Sequence, residues 1–198
     1  MTKRLSGAFA AVPLLALFLA QANAAPLDGS APLVKSCEAC HGALGDSRKA
    51  YVPRLNGQKK DYILARFRNF LGPFRDKAHA SLMTRYAPVG DNDVEMLAQY
   101  FSRQTPTPRT GLGTQADAGG EIFLHGAKPA LPACATCHGP YGDGLGGTPR
   151  IAGQHGPYLA QQLEAFKSGA RGATAMDRHT WDMSLEQMQA LSEYLANN

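Results

Sequence analysis

Apolar residues recur at three- and four-residue spacing in four stretches of the chain, and the four form two matching pairs. Between Asp61 and Phe70 this spacing brings Tyr62, Ala65, Phe67 and Phe70 together. Between Pro157 and Phe166 it does the same for Tyr158, Leu159, Leu163 and Phe166, with Gln162 among them. The second pair is Asp91 followed by Val94, Leu97, Ala98 and Phe101, and Ser184 with Gln187 as a capping box before Met188, Leu191 and Leu195. A period near 3.6 with polar starting residues predicts amphipathic helices. A leading helix is predicted over Asp117 to His125; its counterpart before Cys37 is short, because Pro32 leaves little room. No two-residue alternation persists, so the predicted fold is all-α, with three main helices in each half and long glycine-rich loops.

The pairing extends beyond the helices. Pro53-Arg54-Leu55-Asn56-Gly57-Gln58 returns as Pro149-Arg150-Ile151-Ala152-Gly153-Gln154, Phe70 returns as Phe166, and Leu97-Ala98-Gln99-Tyr100-Phe101 matches Leu191-Ser192-Glu193-Tyr194-Leu195. Two copies of one unit are a tandem duplication, since solenoids need three or more. Between them Thr105 to Thr114 is rich in Pro and Gly and lacks apolar periodicity, so it is expected to be an extended, fairly stiff linker. The expected organisation is a unit over 25–104, a linker over 105–116 and a unit over 117–198.

Residues 1–24 have the pattern of a cleaved export signal. Lys3 and Arg4 are followed by an apolar stretch interrupted by Pro13, and Ala22-Asn23-Ala24 is a small-x-small cleavage site. The apolar stretch is shorter than the ~20 residues a spanning helix needs, and no later run is apolar enough to span, so no transmembrane segment is expected after cleavage. Periplasmic location is the expectation. The 174 residues after Ala24 suffice for two small units, each too small to build a large core unaided. Charge divides unevenly: residues 25–104 hold 12 Lys+Arg against 8 Asp+Glu, and residues 105–198 hold 6 against 8. That asymmetry bears on docking orientation, with an acidic partner expected at the first half. The small net charge, without a cationic cluster interleaved with aromatics, argues against nucleic acid.

All four cysteines lie in one repeated stretch, Cys37-Glu38-Ala39-Cys40-His41-Gly42 and Cys134-Ala135-Thr136-Cys137-His138-Gly139. Cys-x-x-Cys-His is the attachment signal for c-type haem: two thiols add to the porphyrin vinyl groups and the adjacent imidazole binds the iron. A zinc ribbon would bring its cysteine pairs close in sequence, whereas Cys37 and Cys134 are 97 residues apart and each pair has its own His. A thioredoxin-like pair would need a βαβ context that is missing. The cofactors expected are therefore two covalently bound haem c groups, with Cys37, Cys40, Cys134 and Cys137 as attachment points and His41 and His138 as iron ligands. Each haem supplies the apolar core its half lacks, so the chain without haem is expected to fold poorly.

The other face of each iron decides between carrier and enzyme, because a thioether raises the potential and closes the iron whereas an open face permits chemistry. Met1 leaves with the leader, and Met96 and Met188 lie on the apolar stripes of the closing helices, where Met is a gap filler. Met183 aligns with apolar Val89. Met83 and Met176 both lie in stretches without periodicity, 17 residues before Tyr100 and 18 before Tyr194, and this agreement selects them as the sixth ligands. His79 and His179 are the competitors, and His125 and His155 are read as surface or haem-edge residues. Pro53, 12 residues after His41, and Pro149, 11 after His138, are expected to offer carbonyls to the imidazoles. Arg54 and Arg150 are candidates for pairing with haem propionates.

These residues resemble the dihaem class I cytochromes c of the cytochrome c4 type over nearly the whole chain after residue 24. The resemblance rests on the two CxxCHG motifs, the Pro-Arg-x-x-Gly-Gln segments, the helices beginning at Tyr62 and Tyr158, the ligand methionines and the closing helices with Tyr100 and Tyr194. It departs in the first half, where the leading helix is clipped and the Met83 region is one residue shorter. It implies two tandem class I cytochrome c domains related by a pseudo-two-fold axis. It also implies electron transfer between redox partners in the periplasm, often ending at a terminal oxidase. The short leading segment also resembles dihaem subunits of flavocytochrome dehydrogenases, so the alternative is a subunit bound to a catalytic flavoprotein. A dihaem redox enzyme is the remaining reading. The primary expectation is an electron-transfer protein that performs no bond chemistry of its own.

Overall fold

The computed structural model describes residues 31–71, 83, 90–108, 117–127, 131–171 and 174–197. The leader at 1–24, His79 and most of the linker lie outside these. The first half contains α1 (Pro32–His41), a 3-10 turn (Ala43–Gly45), α2 (Lys60–Leu71) and α3 (Asp91–Ser102). The second contains α4 (Ala118–His125), α5 (Ala135–His138), α6 (Gly156–Lys167), α7 (Ala175–Thr180) and α8 (Leu185–Asn197). Among the described residues there is no strand, only an isolated bridge between Ala127 and Leu131. None of the described helices is long and apolar enough to cross a membrane.

Helix ends follow local chemistry. Asp117 caps α4 by accepting from Gly120 N at 2.7 Å. At α8, Ser184 N donates to Gln187 Oε1 at 2.9 Å and Gln187 N to Ser184 Oγ at 3.2 Å, the reciprocal bonding expected of the box. The stretch around Met176 is not irregular: Thr174 and Asp177 form a second box, which starts α7. Met83 is likewise helical. Ahead of Cys37 the leading segment is short, but it is continuous with the haem-motif helix. Pro32 starts α1, a position where its fixed φ and missing N–H cost nothing. In the second half the same two parts are separate, as α4 and α5.

Each half has its own core. Val34, Ile63, Phe67, Val94, Leu97, Ala98, Tyr100 and Phe101 form the first. The second includes Ile122, Phe123, Leu163, Met183, Met188, Leu191 and Leu195, so Met183 and Met188 fill the core as read, while Met96 is half-buried outside the first cluster. Closing helix α8 packs on α4 and α6, and α3 on α2. Equivalent bonds repeat between halves: Gly57 N donates to Phe101 O at 2.9 Å and Gly153 N to Leu195 O at 2.8 Å. Residues 105–108 are tied to the first half, with Asn56 Nδ2 donating to Thr105 O and to Thr107 Oγ1 at 3.0 Å each.

The halves join through the repeated Pro-Arg-x-x-Gly-Gln segments, and the pairing is reciprocal. Gln154 accepts from Arg54 N at 2.9 Å and donates to Arg54 O at 3.0 Å. Gln58 accepts from Arg150 N at 2.8 Å and donates to Arg150 O at 2.9 Å. Both glutamines are buried. Three more side-chain bonds cross the interface: Arg54 Nη1 donates to Gly153 O at 2.5 Å, His155 Nε2 donates to Ser47 O at 2.9 Å, and Arg171 Nη2 donates to Tyr62 Oη. His155 is thus an interface residue instead of a haem-edge one, while His125 is exposed as read.

A Cβ on Gly119 would meet the Ala190 carbonyl and come within 2.7 Å of Tyr194 Cβ, both on α8. Gly119→Ala is expected to lower the stability of the haem-loaded protein by about 1–3 kcal/mol in denaturant unfolding, whereas Gly156→Ala, whose Cβ meets nothing closer than 3.4 Å, leaves it nearly unchanged. Glu38 accepts from Leu44 N at 2.7 Å and Tyr100 Oη at 3.2 Å and pairs with Lys35 at 2.9 Å, holding the turn after the first motif. Burial alone would raise its carboxyl, but the bonds from Lys35, Leu44 and Tyr100 outweigh it and hold the group below 4.5. A depressed folded value contributes stability above pH 4.5 that disappears as pH falls through that folded value. Acid titration of the unfolding midpoint should therefore show a steeper loss in the unmodified protein than in Glu38→Gln.

Candidate haem sites

In both halves one helical turn carries the chemistry. Cys37, Cys40 and His41 occupy the end of α1; Cys134 caps α5, which holds Cys137 and His138. Spacing of three residues on a helix puts both sulfurs of a pair on one side. In each pair the first cysteine is half-buried against its own core and the second is exposed. Gly42 ends α1 at φ 80° and donates to Glu38 O at 2.8 Å; a Cβ there would collide with the Asp46 backbone, which explains the glycine after His41. Gly139 repeats the conformation at φ 79°.

The two imidazoles are held alike. His41 is 8% exposed and His138 6%. Their Nδ1 atoms lie 2.8 Å from Pro53 O and 3.0 Å from Pro149 O, as the spacing of the prolines led us to expect. A carbonyl only accepts, so the proton is assigned to Nδ1 and the lone pair to Nε2. Burial pushes both rings below their ordinary 6.5 despite that bond, which keeps them neutral near pH 7. Burial, followed at Cys37 by the neighbouring Cys40 and Glu38, pushes the Cys37 thiol up to about 11. Burial also dominates at Cys134, again up to about 11, so both sulfurs are protonated thiols before attachment.

This donor set fits haem c. Each site offers two unpaired thiols on one helical side, a neutral imidazole with a free Nε2, and a core that the first thiol already touches. Met83 packs partly buried against the first core, and Met176 against the second at the start of α7. His179 lies half-buried on α7. The arginines have protein partners: Arg54 Nε lies 3.2 Å from Asp46 Oδ1, and Arg150 Nη1 pairs with Asp143, the equivalent aspartate of the second loop. Residues that the sequence did not single out for a role are Gln58, Gln154 and the Tyr62–Arg171 pair. The repetition of Gln58 and Gln154 was the available signal.

The cytochrome c family model matches residues 116–198, the second half. Over 194 residues the chain is 34% identical to "Cytochrome c-552" of Acidithiobacillus ferridurans, an alignment covering 92% of this chain and 84% of that protein. It is also 34% identical to "Thiosulfate dehydrogenase electron acceptor" of Thiomonas intermedia, covering 87% of this chain and 84% of the relative. The solved structure of Acidithiobacillus ferrooxidans cytochrome c4 superposes with a TM-score of 0.75 at 33% identity, covering 83% of this chain and 99% of that one. Coverage of both repeats, together with the duplicated Cys-x-x-Cys-His turn and its buried imidazole, leads to one assignment. The chain belongs to the cytochrome c4-like family of dihaem class I cytochromes c, electron-transfer proteins carrying two covalent haem c groups.

Proposed function

We propose that this protein is a periplasmic electron carrier with two His/Met-ligated haems, exported by the cleaved leader at 1–24 and built from domains at 25–104 and 117–198 with a connecting segment at 105–116. Cys37 and Cys40 attach the first haem, with His41 and Met83 as its axial ligands. Cys134 and Cys137 attach the second, with His138 and Met176. The observation that carries the reading is the repetition of one arrangement: a buried imidazole whose Nδ1–H is committed to a proline carbonyl, with a methionine packed against the core of the same half. When bound, haem supplies one-electron exchange. The chain orients each imidazole, keeps it neutral, and sets the potential through ligand, burial and nearby charge.

The partners are redox proteins, with a membrane-bound terminal oxidase as the acceptor. Arg48 and Lys49 lie exposed beside Cys40, where Asp46 also lines the surface, and this excess of cations supports docking of an acidic partner at the first half. The relatives named as thiosulfate dehydrogenase electron acceptors favour a second reading, in which the protein serves a catalytic dehydrogenase as a bound subunit. Native copurification separates the two: a dehydrogenase recovered in stoichiometric amount supports the subunit, and isolation as a single polypeptide supports the free carrier.

Haem quantitation with visible and near-infrared spectra tests the ligand set. Two haems per chain and a methionine-to-iron band are expected. Met176→Ala and Met83→Ala should each remove about half of that band and leave one haem high-spin. A full band in either variant would mean that another residue binds that iron.

A further inference from the structure

Each half's proline carbonyl belongs to the same peptide unit as the N–H that the other half's glutamine accepts from. The Pro53–Arg54 amide takes the His41 Nδ1–H bond at its oxygen, at 2.8 Å, and gives its N–H to Gln154 Oε1, at 2.9 Å. The Pro149–Arg150 amide takes His138 at 3.0 Å and gives its N–H to Gln58 Oε1 at 2.8 Å. The two relays are related by the internal repeat and cross each other at the interface. Both glutamines are 7% exposed, and each also donates to the carbonyl of the arginine it serves, so its amide is fixed in orientation. The void between them is about 10 Å³, room for no more than a water.

We infer that Gln154 tunes the haem of the first half and Gln58 the haem of the second, each acting through the other half's proline carbonyl. The inference rests on the axial roles of His41 and His138 proposed above. Hydrogen bonds in a chain polarise one another: an acceptor on the amide N–H increases the negative charge on that amide's oxygen. A stronger acceptor for Nδ1–H gives the imidazole more electron density to donate, which favours ferric iron and lowers the potential. Removal of the glutamine should therefore raise the potential of the opposite haem. Gln58 and Gln154 are positioning residues, since each acts on an imidazole only through the Pro–Arg amide between them.

The test uses the full haem-loaded chain and compares Gln154→Leu with Gln58→Leu, which leave the charge unchanged. Potentials are assigned to each half from hyperfine-shifted haem methyl resonances in partially oxidised samples, and the Nδ1 protons of His41 and His138 are followed in the reduced protein. Gln154→Leu is expected to shift the one-electron equilibrium of the first haem about three- to tenfold toward reduction and to move the His41 ring proton. Gln58→Leu should do the same for the second haem and His138. Gln154→Glu retains an acceptor for Arg54 N–H, similar to the amide when protonated and stronger when ionised, so it should not shift the first haem toward reduction, which keeps the inference testable should the leucine variants fold poorly. A larger shift in the substituted residue's own half, equal shifts in both, or none would overturn the relay. If the unmodified oxidised protein shows no hyperfine shift at His41 and His138, the axial assignment itself fails; with those shifts present, an uncrossed pattern removes the relay alone.

Discussion

A neutral imidazole can bind a metal through one ring nitrogen while the other carries the proton, and in this protein the proline carbonyls hold that proton on Nδ1. Nδ1 of His41 and His138 is committed to Pro53 O and Pro149 O, and burial keeps both rings neutral. The rest of the architecture maintains this contact. The glycine after each His turns the chain away from the helix, and the loop returns to bring the proline carbonyl to Nδ1 at the ring edge. The Pro-Arg segment is then clamped by a glutamine from the other half. Because the clamp is reciprocal, the Gln–Arg bonds that join the halves also support both imidazoles.

The duplication is unequal in ways that matter for docking. α1 carries leading segment and haem motif together, whereas α4 and α5 divide them. Glu38 fastens the first loop through Leu44 N and Tyr100, and its counterpart, Ala135, has no carboxylate to offer. The first loop also inserts Arg48 and Lys49 where the second has Leu145 and Gly146. Both motifs expose large hydrophobics, Leu44 and Tyr51 beside the first and Tyr141 and Leu145 beside the second, but only the first adds two cations, Arg48 and Lys49. Two different surfaces suit a protein that receives an electron from one partner and delivers it to another.

Legibility in the sequence tracked the range of the interaction. Helices predicted over 61–70, 117–125 and 157–166 occur at 60–71, 118–125 and 156–167, because short-range periodicity and caps determine them. The His–Pro contacts span 12 and 11 residues and were readable from a repeated proline. The Gln–Arg bonds span 100 and 92 residues. They depend on how two folded halves dock, so the repeated glutamine marks the position but not its partner, and the interface place of His155 is hidden for the same reason. α7 had a local signal, Thr174 with Asp177, but its six residues give too little periodicity to be recognised.

The reciprocal clamp holds the two halves together, and the proposed carrier would pass electrons between its two haems within one molecule. Photoreduction of the oxidised, haem-loaded protein by a substoichiometric pulse, followed by spectral separation of the two haems, tests it most directly. The account predicts that electrons redistribute between the haems at a rate independent of protein concentration. Redistribution proportional to protein concentration, which would mean exchange only between molecules, would contradict it.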